Sequence, residues 1–174
     1  DSMGREEVLG PRVEDISLRG GVTLDELVRQ MKAGGGFVAK KVGVAVDILE
    51  LMERDGSCVK FLSFPASIVA TGCRGVIRDL VKNRLVDVII TTCGMLDHDL
   101  ARSWRDYYHG SFESDDAELH RLGINRIGNI FVPNESYGLV LEEKMQLILQ
   151  ELWNSGRREF SGKELAWEFG KRAG

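Results

Sequence analysis

The run from Cys58 to Leu100 constrains the fold more than any other stretch, because strand and helix signals alternate within it at close spacing. Cys58 to Ser63 is a short apolar strand run, and Pro65 to Arg84 carries helical spacing, with Ile68, Val69, Val76, Ile77 and Leu80 as its buried stripe. Val86 to Thr92 is a second strand run, and a new helix opens near Met95. Two strands joined by a crossover helix share a sheet only as parallel neighbours, so both end on one edge. There the sequence turns small and polar: Ser63, Ala66 and Ser67 at one strand end, Thr91, Thr92, Cys93 and Gly94 at the other. Ligands of open α/β sheets bind outside the carboxyl ends of the strands, where helix N-termini offer unengaged N–H groups. That rim is the candidate site.

The chain has 174 residues, the size of one domain with a substantial core. No repeat, low-complexity tract or linker marks a boundary within residues 13–172. With 27 acidic against 23 basic residues the formal net charge is −4, and no basic stripe appears. This argues for a soluble protein and against a nucleic-acid binder. No apolar run reaches the ~18–20 residues of a membrane span, and the N-terminus has no signal-peptide pattern, so a reduced, cytoplasmic setting is expected. Cys58, Cys73 and Cys93 fit no zinc pattern. Cys58 and Cys73 read as small buried side chains, whereas Cys93 sits at the rim, where a small side chain admits a ligand to the backbone.

Residues 1–12 are expected to be irregular, with Asp1-Ser2 ahead of Met3 a tag remnant. Thr23 with Glu26 forms a capping box, predicting a helix from Leu24 to about Lys32 that ends at Gly34-Gly35-Gly36, a connector rather than a phosphate loop. From Phe37 a second helix follows, with Val38, Val42, Ala45, Val46, Leu49 and Met52 on a packed face. Arg74, Arg78 and Lys82 form a polar flank read as solvated. The strand ending at Thr92 is apolar on both faces, as in an interior strand covered by helices.

Asp97 and Asp99 stand in the first turn of the helix opening near Met95, where negative charge is favoured. An alternative is that Asp97 and His98 face the rim pocket and hold a polyamine or a ribose hydroxyl. Trp104, Tyr107 and Tyr108 continue this helix as core residues, while His109 and His120 are surface residues. Ile130 to Val132 reads as a third strand, and Asn125, Arg126 and Asn129 before it either tie down a turn or serve a site. A long helix from about Gly138 to Trp153 packs through Leu141, Met145, Ile148, Leu149 and Leu152. Ser161 and Glu164 cap a last helix through Leu165, Trp167 and Phe169. With only three strands in view, so apolar a parallel sheet is expected to lack strands.

The stretches Phe61 to Gly72, Val86 to Gly94, Leu96 to Asp99, and Gly123 to Glu135 with Tyr137 resemble deoxyhypusine synthase, in its archaeal branch. The resemblance covers nearly the whole chain. It implies a Rossmann-like parallel sheet flanked by helices, incomplete because the C-terminal strands are missing, so that residues 13–174 are the N-terminal part of an NAD-binding domain. It implies NAD as cofactor and spermidine as substrate. The aminobutyl group of spermidine would pass, through an imine on an enzyme lysine, to a lysine of the translation initiation factor 5A precursor. It implies homotetramers as well, with active sites between paired subunits.

Carried over by position, the first NAD loop falls on Ala66, Ser67 and Ala70. Eukaryotic members have Ser-Asn-x-x-Ser there, so at Ala66 and Ala70 only backbone contact remains. The second NAD loop falls on Thr92, Cys93 and Gly94. The family's acidic pair, used for polyamine and cofactor contact, falls on Asp97 and His98, the latter a histidine in place of glutamate. No lysine here matches the imine-forming one, which places it in a missing C-terminal half or partner chain and leaves this chain inactive alone. A homospermidine synthase of the same family, or a non-catalytic half-subunit stabilising an active partner, is the alternative.

Overall fold

The computed structural model of the chain describes residues 9–173. The expected tag remnant at Asp1-Ser2 lies outside them, and residues 9–22 carry no helix or strand. The chain divides between Cys58 and Val59 into two compact units, at a point that no change of composition marks.

The first unit is a helix pair, α1 (Leu24–Ala33) and α2 (Phe37–Arg54). Thr23 caps α1 as expected, its hydroxyl accepting the Glu26 N–H at 3.1 Å. The Glu26 carboxylate turns to Arg19 instead of closing the box. The glycine run is a connector, with Gly35 at φ +69°. Along α2 the expected packed face is not covered: only Gly43 is buried, and Val38, Val42, Val46 and Leu49 are exposed. The ten-residue α1 meets α2 at Gly43, where an added Cβ would stand 2.5 Å from the Lys32 Cβ. The rest of the apolar helix surface lies beyond its reach.

The second unit holds the organising stretch. Strands β1 (Phe61–Phe64) and β2 (Val88–Thr91) pair in parallel, Phe61 opposite Val88 and Phe64 opposite Thr91. Asp87 fixes the entry, its carboxylate accepting the Lys60 N–H at 2.8 Å. The single helix expected over residues 65–84 is two: a 3-10 turn, Ala66–Ala70, and α3, Cys73–Lys82. Thr71 makes the break, its hydroxyl donating to the Ile68 carbonyl at 2.7 Å and accepting the Cys73 N–H at 3.2 Å. Each strand of this sheet has one hydrogen-bonded neighbour, and Phe61 and Ile90 are 62% and 57% exposed. Of the helix cover expected on both faces of β2, that on the face shared by Phe61 and Ile90 is therefore missing among the described residues, while Ile89 and Thr91 on the other face are half-buried.

Helix α4 (Gly94–Trp104) ends sooner than expected, at an extended Arg105. Tyr108 accordingly lies not in the core but in a short strand, β3 (Tyr108–His109), and is exposed. After α5 (Asp116–Arg121) come β4 (Ile124–Ile127) and β5 (Ile130–Pro133). The expected third strand thus joins not the parallel sheet but a separate antiparallel one, in the order β3-β5-β4. Its turn-side polar residues mostly serve the turn. Arg126 donates to Asp116 at 2.7 and 3.0 Å and to the Gly128 carbonyl at 2.9 Å, with Gly128 at φ +59°. Helices α6 (Gly138–Asn154) and α7 (Gly162–Arg172) close the unit, α7 behind the complete capping box of Ser161 and Glu164. Its core joins Leu100 and Ala101 of α4 to Leu141, Ile148, Leu152 and Phe169. Leu149, expected on the packed side, is exposed, and so is Trp167 of α7.

Candidate functional site

Parallel register fixes the rim. Because Phe64 stands opposite Thr91, both strands stop at one level and both chains turn there. Thr91 donates to the Phe64 carbonyl at 2.7 Å, and the Ala66 N–H donates to the Thr92 hydroxyl at 3.2 Å, lacing the two turns together. Gly94 opens α4 directly against the other turn: a Cβ on it would meet the Ala66 Cβ at 3.3 Å. Ser67, Thr92 and Cys93 are exposed. Five of the expected rim residues, Ala66, Ser67, Thr92, Cys93 and Gly94, are thereby brought to one sheet edge with small side chains. Ala70 is not: it is 3% exposed, its methyl group closed off from solvent.

Asp97 and His98, one turn into α4, face an aromatic cluster. The Tyr137 hydroxyl donates to Asp97 Oδ2 at 3.4 Å. His98 lies between two tyrosines, Nδ1 2.9 Å from the Tyr107 hydroxyl and the ring centroid 5.2 Å from that of Tyr137. The Tyr107 hydroxyl can donate or accept, so it orients the imidazole in either tautomer. Burial lowers the His98 pKa, Asp97 opposing that and Arg102 adding to it. Burial raises both tyrosines; at Tyr137, Asp97 adds to the rise and Cys93 contributes further. All three side chains are thus held in their neutral forms around the Asp97 carboxylate. A cleft of about 640 Å³ opens beside them, lined among others by His98, Tyr137, Asn125, Asn134, Leu139 and Glu142. Its apolar wall and the Glu142 carboxylate suit a cation on a methylene chain, with Asp97 behind Tyr137. Asn125 donates to Asn134 at 2.8 Å and to the Val132 carbonyl at 3.2 Å, so it braces this wall.

Two arginines behind the rim escaped the sequence reading. Arg74, expected to be solvated, donates to Asp99 Oδ1 at 2.6 Å, to the Asp99 carbonyl and to Ser103. That ties α3 to α4 and gives Asp99 a partner other than its own helix end. Arg102 donates to the Val69 and Thr71 carbonyls at 2.7 and 2.6 Å. The signal for Arg102 is Thr71-Gly72, a helix stop beside which the Val69 carbonyl lies outside the α3 ladder; nothing comparable marks Arg74. The three cysteines are free; Cys73, expected to be buried, is exposed, because helix α3 turns it outward at its first position.

Residues 26–174 match the family model for deoxyhypusine synthase. The chain belongs to the deoxyhypusine synthase family. It is 53% identical over 170 residues to a probable deoxyhypusine synthase of Picrophilus torridus, covering 98% of this chain and 54% of that protein. Against those of Thermoplasma acidophilum and Sulfolobus acidocaldarius the identities are 46% and 44%, covering 97% and 98% of this chain and 54% of each relative. The chain thus spans about half the length of the curated relatives that it matches. Within the deoxyhypusine synthase family the rim and the aromatic cluster both fall in the matched half, and no helix of the described residues is long and apolar enough to cross a membrane.

Proposed function

We propose that this chain is the N-terminal portion of a cytoplasmic deoxyhypusine synthase. The whole enzyme, a homotetramer, would transfer the aminobutyl group of spermidine to a lysine of the translation initiation factor 5A precursor, with NAD as cofactor. The observation that carries this reading is the pair of laced strand ends, Phe64 beside Thr91 and Ala66 beside Thr92, in a family member. The residues present fit a dinucleotide there: side chains at the edge are small, and although the Met95 and Leu96 N–H groups bond to the Thr92 and Cys93 carbonyls, the start of α4 at Cys93 and Gly94 turns its positive dipole end to the rim. Ala66, Ser67, Thr92, Cys93 and Gly94 would hold it, with the backbone about Ala70 behind them. When bound, NAD supplies the hydride acceptor.

The chain's own residues would receive the polyamine. Asp97 neutralises an ammonium group, and the Tyr137 hydroxyl fixes that carboxylate from the side. His98, kept neutral by burial and held at Nδ1 by Tyr107, presents Nε2 to take a proton from a substrate amine. The cluster's tyrosines exclude water without adding charge. The imine-forming lysine is assigned to polypeptide corresponding to the part of the relatives that this chain does not span.

The test supplies that polypeptide, taken from a full-length relative, to the purified chain with NAD, spermidine and the factor precursor. Spermidine cleavage with transfer to the precursor is the expected outcome, and neither partner alone reacts. In the reconstituted enzyme Asp97→Ala lowers kcat/KM roughly 10- to 150-fold, the rate equivalent of the ~1.5–3 kcal/mol that a hydrogen bond to a charged group is worth. Reconstitution that leaves spermidine and NAD unchanged counts against the synthase reading; transfer to putrescine in preference to the precursor replaces it with homospermidine synthesis.

A further inference from the structure

Helix α4 bears on the 3-10 turn at Ala66–Ala70 through one cation. Arg102 is half-buried, and a single nitrogen, Nη1, donates to both the Val69 and the Thr71 carbonyls, at 2.7 and 2.6 Å. Those two hydrogens are all that Nη1 has. Nη1 is therefore spent on two main-chain carbonyls at the break, Val69 at the end of the 3-10 turn and Thr71, which also accepts the Arg74 N–H at 3.2 Å. The same guanidinium carbon stands 5.9 Å from the Tyr107 ring centroid, and Tyr107 orients His98. One side chain spans the turn at one end of the site and the imidazole's support at the other.

We infer that Arg102 is the positioning residue of this site: by gripping the turn at Val69 and Thr71 it sets how far the Ala66 tip stands from the Gly94 helix, and so the dinucleotide affinity. The role in affinity rests on the NAD reading above; the grip on the turn does not. An arginine suits the task because the two Nη1 hydrogens are fixed in the guanidinium plane and diverge towards the two carbonyls, whereas a lysine ammonium rotates on a flexible stem. Arg74, which binds Asp99 and Ser103 on α4, holds the next helix and not this turn.

The experiment compares Arg102→Met, Arg102→Lys and Arg74→Met with the unaltered chain, each reconstituted with the complementary polypeptide of a full-length relative, by amide hydrogen exchange and by calorimetric titration with NAD. In Arg102→Met the Ala66 and Thr71 amides, bonded to Thr92 and to the Ile68 carbonyl, exchange at least tenfold faster, while the Leu141–Leu152 amides of the core keep their protection. NAD affinity falls about tenfold, and Arg102→Lys recovers part of both. Arg74→Met leaves the turn amides unchanged. If Arg102→Met does not fold, Arg102→Gln, which keeps one donating amide, stands in for it. Unchanged protection at Ala66 and Thr71 overturns the proposal, and so does a loosened turn that binds NAD as tightly as before. A loosened turn in a chain whose unaltered form takes up no NAD supports the grip and removes the dinucleotide reading instead.

Discussion

His98 is the residue on which environment acts most visibly. Burial is the main cause of its lowered pKa, with Arg102 adding to it and Asp97 opposing. A histidine whose folded pKa lies below its ordinary value of about 6.5 is protonated first in the unfolded chain. The unfolded state then binds more protons, so stability falls as the pH drops through 6.5 towards the folded pKa, and the loss is complete below it. His98→Asn keeps a hydrogen-bonding side chain beside Tyr107 but removes the titration. In urea unfolding at pH 7 and at pH 5, the unaltered protein is expected to lose more stability on acidification than His98→Asn. Equal losses would mean that the imidazole is as easily charged inside the cluster as outside it. The sequence placed His98 at a site by position alone; it could not indicate Tyr107 and Tyr137 as its neighbours, because 9 and 39 residues separate them from it.

Among the elements, the helix pair of the first unit makes a contact that depends on the absence of a side chain. Gly43→Ala would gain about 1 kcal/mol of helix propensity. Against it stands the overlap with the Lys32 Cβ at 2.5 Å and with the Val28 carbonyl at 3.2 Å. Overpacking of this kind costs about 1–3 kcal/mol, so the propensity gain is cancelled and the net effect is a loss of up to about 2 kcal/mol, read by urea unfolding followed through helix content. Local signals of this order were legible beforehand. The Thr23 and Ser161 caps, the parallel partnership of β1 and β2, and the long helix over 138–154 all follow from short-range spacing. What was not legible depends on groups far apart in the chain. The Ala66–Ala70 turn exists because Arg102 and Thr71 take up its polar groups, and Ile130–Pro133 pairs with β4 instead of β1 because Gly128 permits a tight antiparallel return. The packed face expected on α2 failed for the complementary reason: an apolar stripe states that a helix is to be covered, not by what.

At the scale of the second unit, the core and the site share a helix. Phe169, 1% exposed, packs with Leu100 and Ala101, which stand on α4 between Asp97 and Arg102. Phe169→Ala is expected to destabilise the chain by about 3–5 kcal/mol through the cavity it leaves, with a lowered unfolding midpoint in calorimetry. Truncation on the opposite side of the last helix, at the exposed Trp167, is expected to cost a small fraction of that.

Helix α4 begins at the strand tips, carries the carboxylate and the imidazole in its middle, and is anchored through Leu100 and Ala101. Its geometry is inherited from the interior, with no hinge between. Heating should therefore offer no temperature window in which the second unit survives while its ligand pocket has already melted; for that unit the capacity to bind and the capacity to stay folded would vanish in one step.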